Sequence, residues 1–558
     1  MISDENKRVE AQIEKLGPDG LEKAENSITE AIKSQLLPPP EVLKTVPVAD
    51  VDFIKFRKMN YYNHSTIDQP TGFELTEIPF SFQFEDVNSQ FVRMYLFIDT
   101  SSIPYEDRLY LVLLTELWLI SPIRKNNEIE PYESVLQRRS NIALSLYNDL
   151  GYKGSTFSPG SHSDLMMFFA EAELTNYEKT IGLLREAIFN VEFSLEKARI
   201  LISQLLNGIP SMKLSASSMN SALFDNLFFG KKNNNIYFTS VLRQQQFLEK
   251  ISNQLQDNPV ALISKLHQLK DLIVQPKNIF VQMATSLNRL TESYPDPTEP
   301  WINLFDSSNT AGSPSSSAQL KEKRFTSKSD HHFKNPNPEM RHAMIGIPGT
   351  SSCYLKQSIP YEITDWEAQE VATMRVMLQY LSDRMYDQIR GKGLTYGVSM
   401  SSSVTEGRTR VSFSRSSQLT EAYAKFREII GNYTDPDVSA ENAWNEDYIE
   451  SAKGSQIYDW AEREETIEDL GSSSVKASLR QTSDPFYNRR FVKRLANVTL
   501  NDVKELALKY LPLFEDANQT LTAITCGPGD VKHIVDNFKQ YDISLEVINM
   551  DQKNILTE

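Results

Sequence analysis

The sequence has very few cysteines and no long apolar run. Cys353 and Cys526 are the only cysteines among 558 residues, and they form no CxxC pair. The sequence therefore predicts neither a disulfide framework nor a thiolate zinc site. No apolar stretch is long enough to cross a bilayer, so no membrane span is predicted. Residues 1–10 lack both the apolar core of a signal peptide and the composition of a transit peptide. We therefore predict a cytoplasmic chain, or a mitochondrial one if a targeting segment lies upstream.

Positive charge is also in short supply. Lysine and arginine total 58 against 74 acidic residues, which gives a net charge of -16. Nucleic acid is therefore not expected as a partner, because phosphate binding needs a basic face. The acidic balance favours basic peptides by long-range attraction, or is simply a solvated surface. With 40% hydrophobic and 24% charged residues, a chain of this length is expected to form two globular domains.

The sequence also lacks the histidine spacing of zinc peptidases. That chemistry needs two imidazoles one helical turn apart and a carboxylate to activate water. Seven histidines are present, but neither HExxH nor HxxEH occurs. His331 and His332 are adjacent, so they do not share a helix face. We interpret them as a surface pair in a linker, with a weak adventitious metal site as the alternative. The sequence thus predicts no catalytic residue and no metal ligand.

The most informative stretch is the one around Arg390 and Tyr396. Residues 366–389 carry apolar side chains at helical spacing, and glycines follow at once. Residues 394–398 then alternate as a strand does. The pattern can therefore aim the Arg390 guanidinium and the Tyr396 phenol into one cleft, where they would bind carboxylate or carbonyl oxygens. The alternative is structural: an arginine that complements the helix dipole and a half-buried strand tyrosine.

This segment, from Arg390 to Tyr396, resembles the Arg/Tyr element in the C-terminal half of pitrilysin/insulinase-family zinc metallopeptidases. The presequence-protease-like branch is the most similar. The resemblance implies that Arg390 and Tyr396 hold the substrate backbone against a zinc site on the other half of a clamshell. It further implies that zinc and its ligands belong to an N-terminal catalytic half, in cis or in trans. This chain would then need no cofactor of its own, and it should not cleave peptides alone.

The order of predicted elements occurs twice along the chain. A strand (residues 91–98), a helix (106–120), a strand pair (154–158 and 165–169), a late helix (260–274) and a last strand (278–283) form the first copy. The second copy has a strand (343–347), a helix (366–389), a strand pair (394–400 and 410–413), a late helix (500–510) and a last strand (520–524). The last strands of the two copies are predicted to be equivalent. Further helices are predicted, among them one over residues 440–449.

We therefore predict an α+β fold of two homologous α/β rolls, LuxS/metallopeptidase-like, preceded by a helical hairpin connector. The connector takes residues 1–45, with a break at residues 17–20. The rolls take residues 46–295 and 337–548, and a tail takes 549–558. Residues 296–336 form the linker, whose serine-rich part is predicted to be a flexible insertion or, alternatively, a phosphorylation target.

Two functions stay open at this point. The first is the non-zinc-binding half of a clamshell metalloendopeptidase that encloses and orients unfolded peptides. The second is a non-catalytic, peptidase-like scaffold or binding subunit. The Arg390–Tyr396 pair favours the first function, since a scaffold has no need of substrate contacts. The missing zinc motif favours the second.

Overall fold

The computed structural model describes residues 2–34, 40–43, 45, 50–66, 68–125, 127–229, 234–305, 328–335, 338–434 and 444–549. Within these ranges the chain forms two rolls, each built on a mixed sheet. The first roll takes residues 60–305 and the second takes residues 338–549.

The first sheet is built around long, apolar strands near its centre. Its strands run in the order β1-β2-β8-β3-β7-β6, and β2 is parallel to β8 whereas the other pairs are antiparallel. A small ribbon, β4–β5, lies apart from it. The strands are β1 (Asn60–Asn63), β2 (Ser81–Asp86), β3 (Phe91–Asp99), β4 (Ile123–Lys125), β5 (Glu128–Glu130), β6 (Ser145–Tyr152), β7 (Ser161–Glu173) and β8 (Ile279–Thr285).

The second sheet repeats this arrangement. Its order is β11-β12-β10-β13-β9-β14, with β9 parallel to both β13 and β14. The strands are β9 (His342–Gly346), β10 (Cys353–Pro360), β11 (Thr395–Ser403), β12 (Arg408–Ser416), β13 (Leu521–Cys526) and β14 (Glu546–Ile548). Counted inward from the β6 edge and from the β11 edge, the first four strands of each sheet are antiparallel neighbours. The fourth and fifth strands form a parallel pair in both sheets, β8 with β2 and β13 with β9. Strands β8 and β13 hold the same position, so the predicted pair of homologous rolls is confirmed.

Helices cover these sheets, and most of them carry one apolar face. In the N-terminal segment and the first roll they are α1 (Ile2–Ser34), α2 (Pro40–Leu43), α3 (Leu111–Trp118), α4 (Tyr132–Ile142), α5 (Tyr177–Phe189), α6 (Leu195–Leu214), α7 (Ala216–Phe228), α8 (Asn235–Thr239), α9 (Val241–Asp257), α10 (Pro259–Ile273), α11 (Leu287–Ser293) and α12 (Glu299–Ile302). In the second roll they are α13 (Gln369–Met385), α14 (Leu419–Thr434), α15 (Glu446–Glu462), α16 (Ile467–Leu479), α17 (Tyr487–Ala496), α18 (Leu500–Tyr510) and α19 (Val531–Phe538).

Each roll lends one helix to the sheet of the other. Helix α7 of the first roll lies on the second sheet, where the Asn220 amide donates to the Ala523 carbonyl at 2.9 Å. Helix α16 of the second roll lies on the first sheet, where Val475 and Leu479 pack against the aromatic cluster around Tyr95 and Phe97. The two rolls therefore share their cores across a reciprocal interface.

Several segment predictions need correction. Residues 154–158 form the turn between β6 and β7, so the strand predicted there is wrong. The true partner strand, β6, is mostly half-buried and lacks a clear alternation. The helix predicted over residues 440–449 begins at Glu446, because the Asn445 side chain caps its first N–H groups, and it runs to Glu462. Residues 440–443 lie outside the described residues.

Two further predictions concern the break in the N-terminal helix and the start of the linker. Within α1 only Gly17 leaves the helical region, with φ 59° and ψ -178°, so the predicted break lies there. Beyond residue 295, where the linker is predicted to begin, Trp301 and Leu304 are fully buried in the core of the first roll. The domain boundaries given above stay predictions, and the serine-rich residues 306–327 lie outside the described part. No helix in the described ranges is long and apolar enough to cross a membrane.

Candidate functional site

The Arg390 corner begins with an unusual helix end. Helix α13 continues into a π-helical turn over Tyr386–Arg390, a geometry often found at functional sites. The Gly391 N–H then donates to the Tyr386 carbonyl at 2.8 Å. A Cβ at Gly391 would lie 2.4 Å from the Asp387 carbonyl oxygen, so only glycine fits. Gly393, with φ 75°, completes the turn into β11.

This corner holds the Arg390 side chain in place without neutralising it. Its Nε donates to the Tyr396 carbonyl at 3.0 Å, and Nη1 donates to the Tyr386 hydroxyl at 2.5 Å. The guanidinium carbon lies 4.7 Å from the centre of the Tyr386 ring and 5.7 Å from that of Tyr396. Arg390 makes no ion pair with a carboxylate in the described part of the chain. It is exposed to solvent and still able to bind an anionic or carbonyl group.

The Tyr396 ring is presented on an open surface. It is 65% exposed, and it lies on β11, the edge strand of the second sheet. Thr395 pairs with Ser416 and Gly397 with Ser414, which leaves Arg415 opposite Tyr396. Arg415 has a left-handed backbone, with φ 51°, and its guanidinium carbon lies 5.5 Å from the Tyr396 ring centre. Two guanidinium groups thus lie close to the Tyr396 ring.

The structure brings both predicted site residues together and adds two more. Tyr386 and Arg415 complete what we call the Arg–Tyr patch: Tyr386, Arg390, Tyr396 and Arg415. Tyr386 could have been found from sequence, since it lies four residues before Arg390 on the same helical face. Arg415 could not, because its position depends on the register of β11 and β12. The patch can hold a carbonyl or carboxylate by forked and phenolic hydrogen bonds. Its role in substrate binding stays a prediction.

No zinc ligand set accompanies this patch. The described residues contain no group of three or more His, Cys, Asp or Glu side chains that could hold a metal ion. His331 and His332 lie with ring centres 4.1 Å apart. The His331 N–H donates to the Thr405 carbonyl at 2.6 Å, which fixes this end of the linker to the second roll. Burial lowers the pKa of His331. The resemblance assigns zinc to another half, and the described residues of this chain offer no ligand set for it.

Comparison with known proteins places this geometry in a wider context. No protein-family profile matches the chain. It is 24% identical over 553 residues to an uncharacterized protein of Caenorhabditis elegans, and 24% identical over 565 residues to one of Schizosaccharomyces pombe. Each alignment covers 96% of this chain and 52% of the relative. The chain thus spans about half the length of the curated relatives it matches.

Solved structures show the fold more directly. A peptidase M16 inactive domain from Pseudomonas fluorescens matches with a TM-score of 0.57 and 15% identity, over 84% of this chain and 98% of that domain. The periplasmic protease PqqL from Escherichia coli matches with a TM-score of 0.55 and 10% identity, over 89% of this chain and 52% of the protease. The chain therefore has the fold of the inactive half of M16 peptidases, and the resemblance to a pitrilysin-like C-terminal half is confirmed at the level of fold.

Proposed function

We propose that this chain is the non-zinc-binding half of a clamshell metalloendopeptidase, and that it holds unfolded peptides for cleavage by a separate catalytic half. The observation that carries the proposal is the Arg–Tyr patch. A guanidinium aimed by a π-helical turn, with no carboxylate partner among the described residues, is poised for an external ligand. A purely structural arginine would be expected to direct the paired N–H groups of its guanidinium to a carboxylate within the protein.

The edge position of β11 supports an extended ligand. An edge strand leaves a row of backbone N–H and C=O groups unpaired, and these can bind an extended chain. Tyr396 lies near the start of this strand and Arg390 ends the turn before it, so both can bind carbonyl oxygens of a peptide running alongside β11. A folded protein does not offer such a free backbone, so the proposed substrates are unfolded peptides. The acidic net charge of -16 would favour basic ones.

Proteolysis of an unfolded fluorogenic peptide tests this role. The chain is assayed with an HxxEH-bearing half, supplied on the same polypeptide or as a second subunit. Arg390→Ala should lower kcat/KM about ten- to hundred-fold, since a charge-assisted contact is worth about 1.5–3 kcal/mol. Tyr396→Phe removes only the hydroxyl and should lower it by a similar or smaller factor. Arg390→Lys keeps the charge but not the fork, and should also be impaired.

Controls separate binding from folding. Arg289→Ala, at an exposed arginine on α11, should leave kcat/KM unchanged. All variants should melt within a degree or two of the wild type, because the patch lies on the surface. Full activity of both Arg390→Ala and Tyr396→Phe would contradict the substrate role. A large fall in melting temperature would instead identify the patch as structural.

A non-catalytic scaffold or binding subunit is the second candidate. It is favoured by the missing metal ligands in the described part and by the match, over 98% of its length, to a domain described as inactive. In that case the chain would be required for assembly or stability of a partner, and Arg390→Ala would have no effect on the partner's activity. The same set of variants therefore distinguishes the two functions.

A further inference from the structure

A small cavity lies where α16 of the second roll meets the first roll. Its volume is about 190 Å³. Three basic side chains line it: Arg375 from α13, Lys476 from α16, and Arg480 directly after α16. The first roll contributes Tyr152 and His162 to the opposite wall.

None of these three cations forms an ion pair in the described part of the chain, and Asp469 is the weakest of the influences on the pKa of Lys476. Arg375 donates from Nη2 to the Ser402 carbonyl at 3.1 Å, and its Nε is buried without a partner. The Arg480 guanidinium carbon lies 3.9 Å from the centre of the Trp366 ring, and no hydrogen bond or ion pair joins its side chain to the described residues. Lys476 likewise has none. The N–H edges of a guanidinium held over a ring stay free for a ligand.

The one carboxylate on the cavity wall is already used. Glu406 lines the cavity, but its Oε2 accepts a hydrogen bond from the Arg408 Nε at 2.6 Å. Arg408 also lies 3.5 Å from a carboxylate oxygen of Asp225 on α7. On the α7 side of the reciprocal interface, therefore, the buried Arg408 is paired with two carboxylates. The three cavity cations on the α16 side make no such ion pair among the described residues.

This imbalance is costly without a ligand. Lys476 and Arg480 are four residues apart, so two like charges lie on neighbouring turns. Burial, aided by the nearby cations Arg480, Lys153 and Arg463, lowers the pKa of Lys476 to about 8. Burial is also the main cause that lowers the pKa of Arg480, to about 10. The three cavity cations are half-buried, so their charges are partly desolvated, and an anion from outside the described residues would offset that cost.

The geometry points to a binding site for a small oxyanion of the phosphate class, held by Arg375, Lys476 and Arg480 between the two rolls. A free N–H edge on each arginine and an ammonium group match the several acceptor oxygens of such an ion. A volume of about 190 Å³ is below the 300–1,000 Å³ of typical organic-ligand sites. It can take a phosphate with a few waters, or the phosphate end of a small phosphomonoester, but not a whole nucleotide. The bound anion would join α16 to the first roll.

Thermal unfolding of the full chain tests the site. Inorganic phosphate should raise the melting temperature saturably above that in sodium chloride of equal ionic strength, and calorimetric titration should give one ion per chain. Lys476→Met and Arg480→Gln should each weaken binding about ten- to hundred-fold. Lys532→Met, at an exposed lysine on α19, is the matched control and should bind as the wild type does. Glycerol 3-phosphate is tested in parallel. Tighter binding of inorganic phosphate would identify the ligand as a free ion, and tighter binding of glycerol 3-phosphate would identify it as an organic phosphate.

Lys476→Met also distinguishes a loss of phosphate binding from a loss of folding. In phosphate-free buffer it should melt at the same temperature as the wild type or higher, because it removes a repelling charge, yet it should lose the response to phosphate. The proposal is overturned if neither phosphate nor glycerol 3-phosphate gives a saturable shift. It is equally overturned if Lys476→Met and Arg480→Gln respond to the ligand as fully as the Lys532→Met control.

Discussion

Glu85 on β2 offers the sharpest test of the reciprocal interface, because no cation among the described residues lies beside its carboxylate. It is fully buried beneath α16. Its Oε1 accepts hydrogen bonds from the Ser474 hydroxyl and from the amides of Gln83 and Gln282, whereas its Oε2 has no partner among the described residues. Burial outweighs these hydrogen bonds and raises the pKa of Glu85 from 4.5 to about 7.

The sign of the effect on stability follows from that shift. Between pH 4.5 and 7 the folded chain binds the Glu85 proton more tightly than the unfolded chain does. The stabilising contribution is therefore complete below about pH 4.5, and it is lost as the pH rises through 7. At about 1.4 kcal/mol for each pH unit, the loss amounts to roughly 3 kcal/mol at pH 8. Glu85→Gln cannot ionise and should escape this loss.

The assay compares melting temperatures of wild type and Glu85→Gln from pH 5 to pH 8. A domain of roughly 250 residues shifts by about 2–4 °C for each kcal/mol, so the variant should gain several degrees on the wild type over this range. Glu173→Gln, at an exposed carboxylate on β7 of the same sheet, is the control and should follow the wild type at every pH. Parallel curves for Glu85→Gln and wild type would refute the reasoning, since they would show that Glu85 does not titrate in this interval.

Three further predictions concern packing, backbone and metal. Trp301→Ala should lower the free energy of unfolding of the first roll by about 3–5 kcal/mol, because Trp301 is fully buried and its indole N–H donates to the Tyr177 hydroxyl at 2.8 Å. Chemical denaturation measures this loss. A loss below about 1 kcal/mol would contradict the assignment of Trp301 to the core. Gly391→Ala should disturb the Arg–Tyr patch, because its Cβ would meet the Asp387 carbonyl oxygen at 2.4 Å. Its kcat/KM in the reconstituted protease should fall as far as that of Arg390→Ala. Wild-type activity would show that this turn does not determine the position of the Arg390 side chain. Purified chain should hold no stoichiometric zinc, and metal analysis that finds one tightly bound zinc per chain would contradict this prediction.

Strong local periodicity is what made much of the fold predictable. Helix α18 begins and ends where its apolar spacing predicts, and β3 and β8 do so within two residues. Strand β6 was missed because an edge strand with one half-solvated face need not alternate clearly. The π-helical turn at Tyr386 was also unpredicted, since the sequence there reads as ordinary helix.

Interactions between distant residues were beyond sequence reasoning. Arg390 and Tyr396 are close along the chain, and their meeting follows from one helix-to-strand corner. Arg375 lies on α13 and Arg480 directly after α16, so these cavity cations meet only through tertiary packing. The burial of Glu85 depends on Ser474, nearly 400 residues later, and no local pattern signals such a contact.

The exchange of α7 and α16 between the rolls also has a consequence for the order of synthesis. The first roll is complete at about residue 305, but the aromatic face around Tyr95 and Phe97 is covered by a helix that ends at Leu479. A ribosome adding about 5–20 residues per second needs roughly 10–35 seconds to make the intervening stretch. During that interval the nascent first roll exposes an apolar sheet face, as a site for chaperones or for aggregation. Ribosome-bound chains halted before residue 467 should therefore be recovered with a chaperone far more often than chains halted after residue 500.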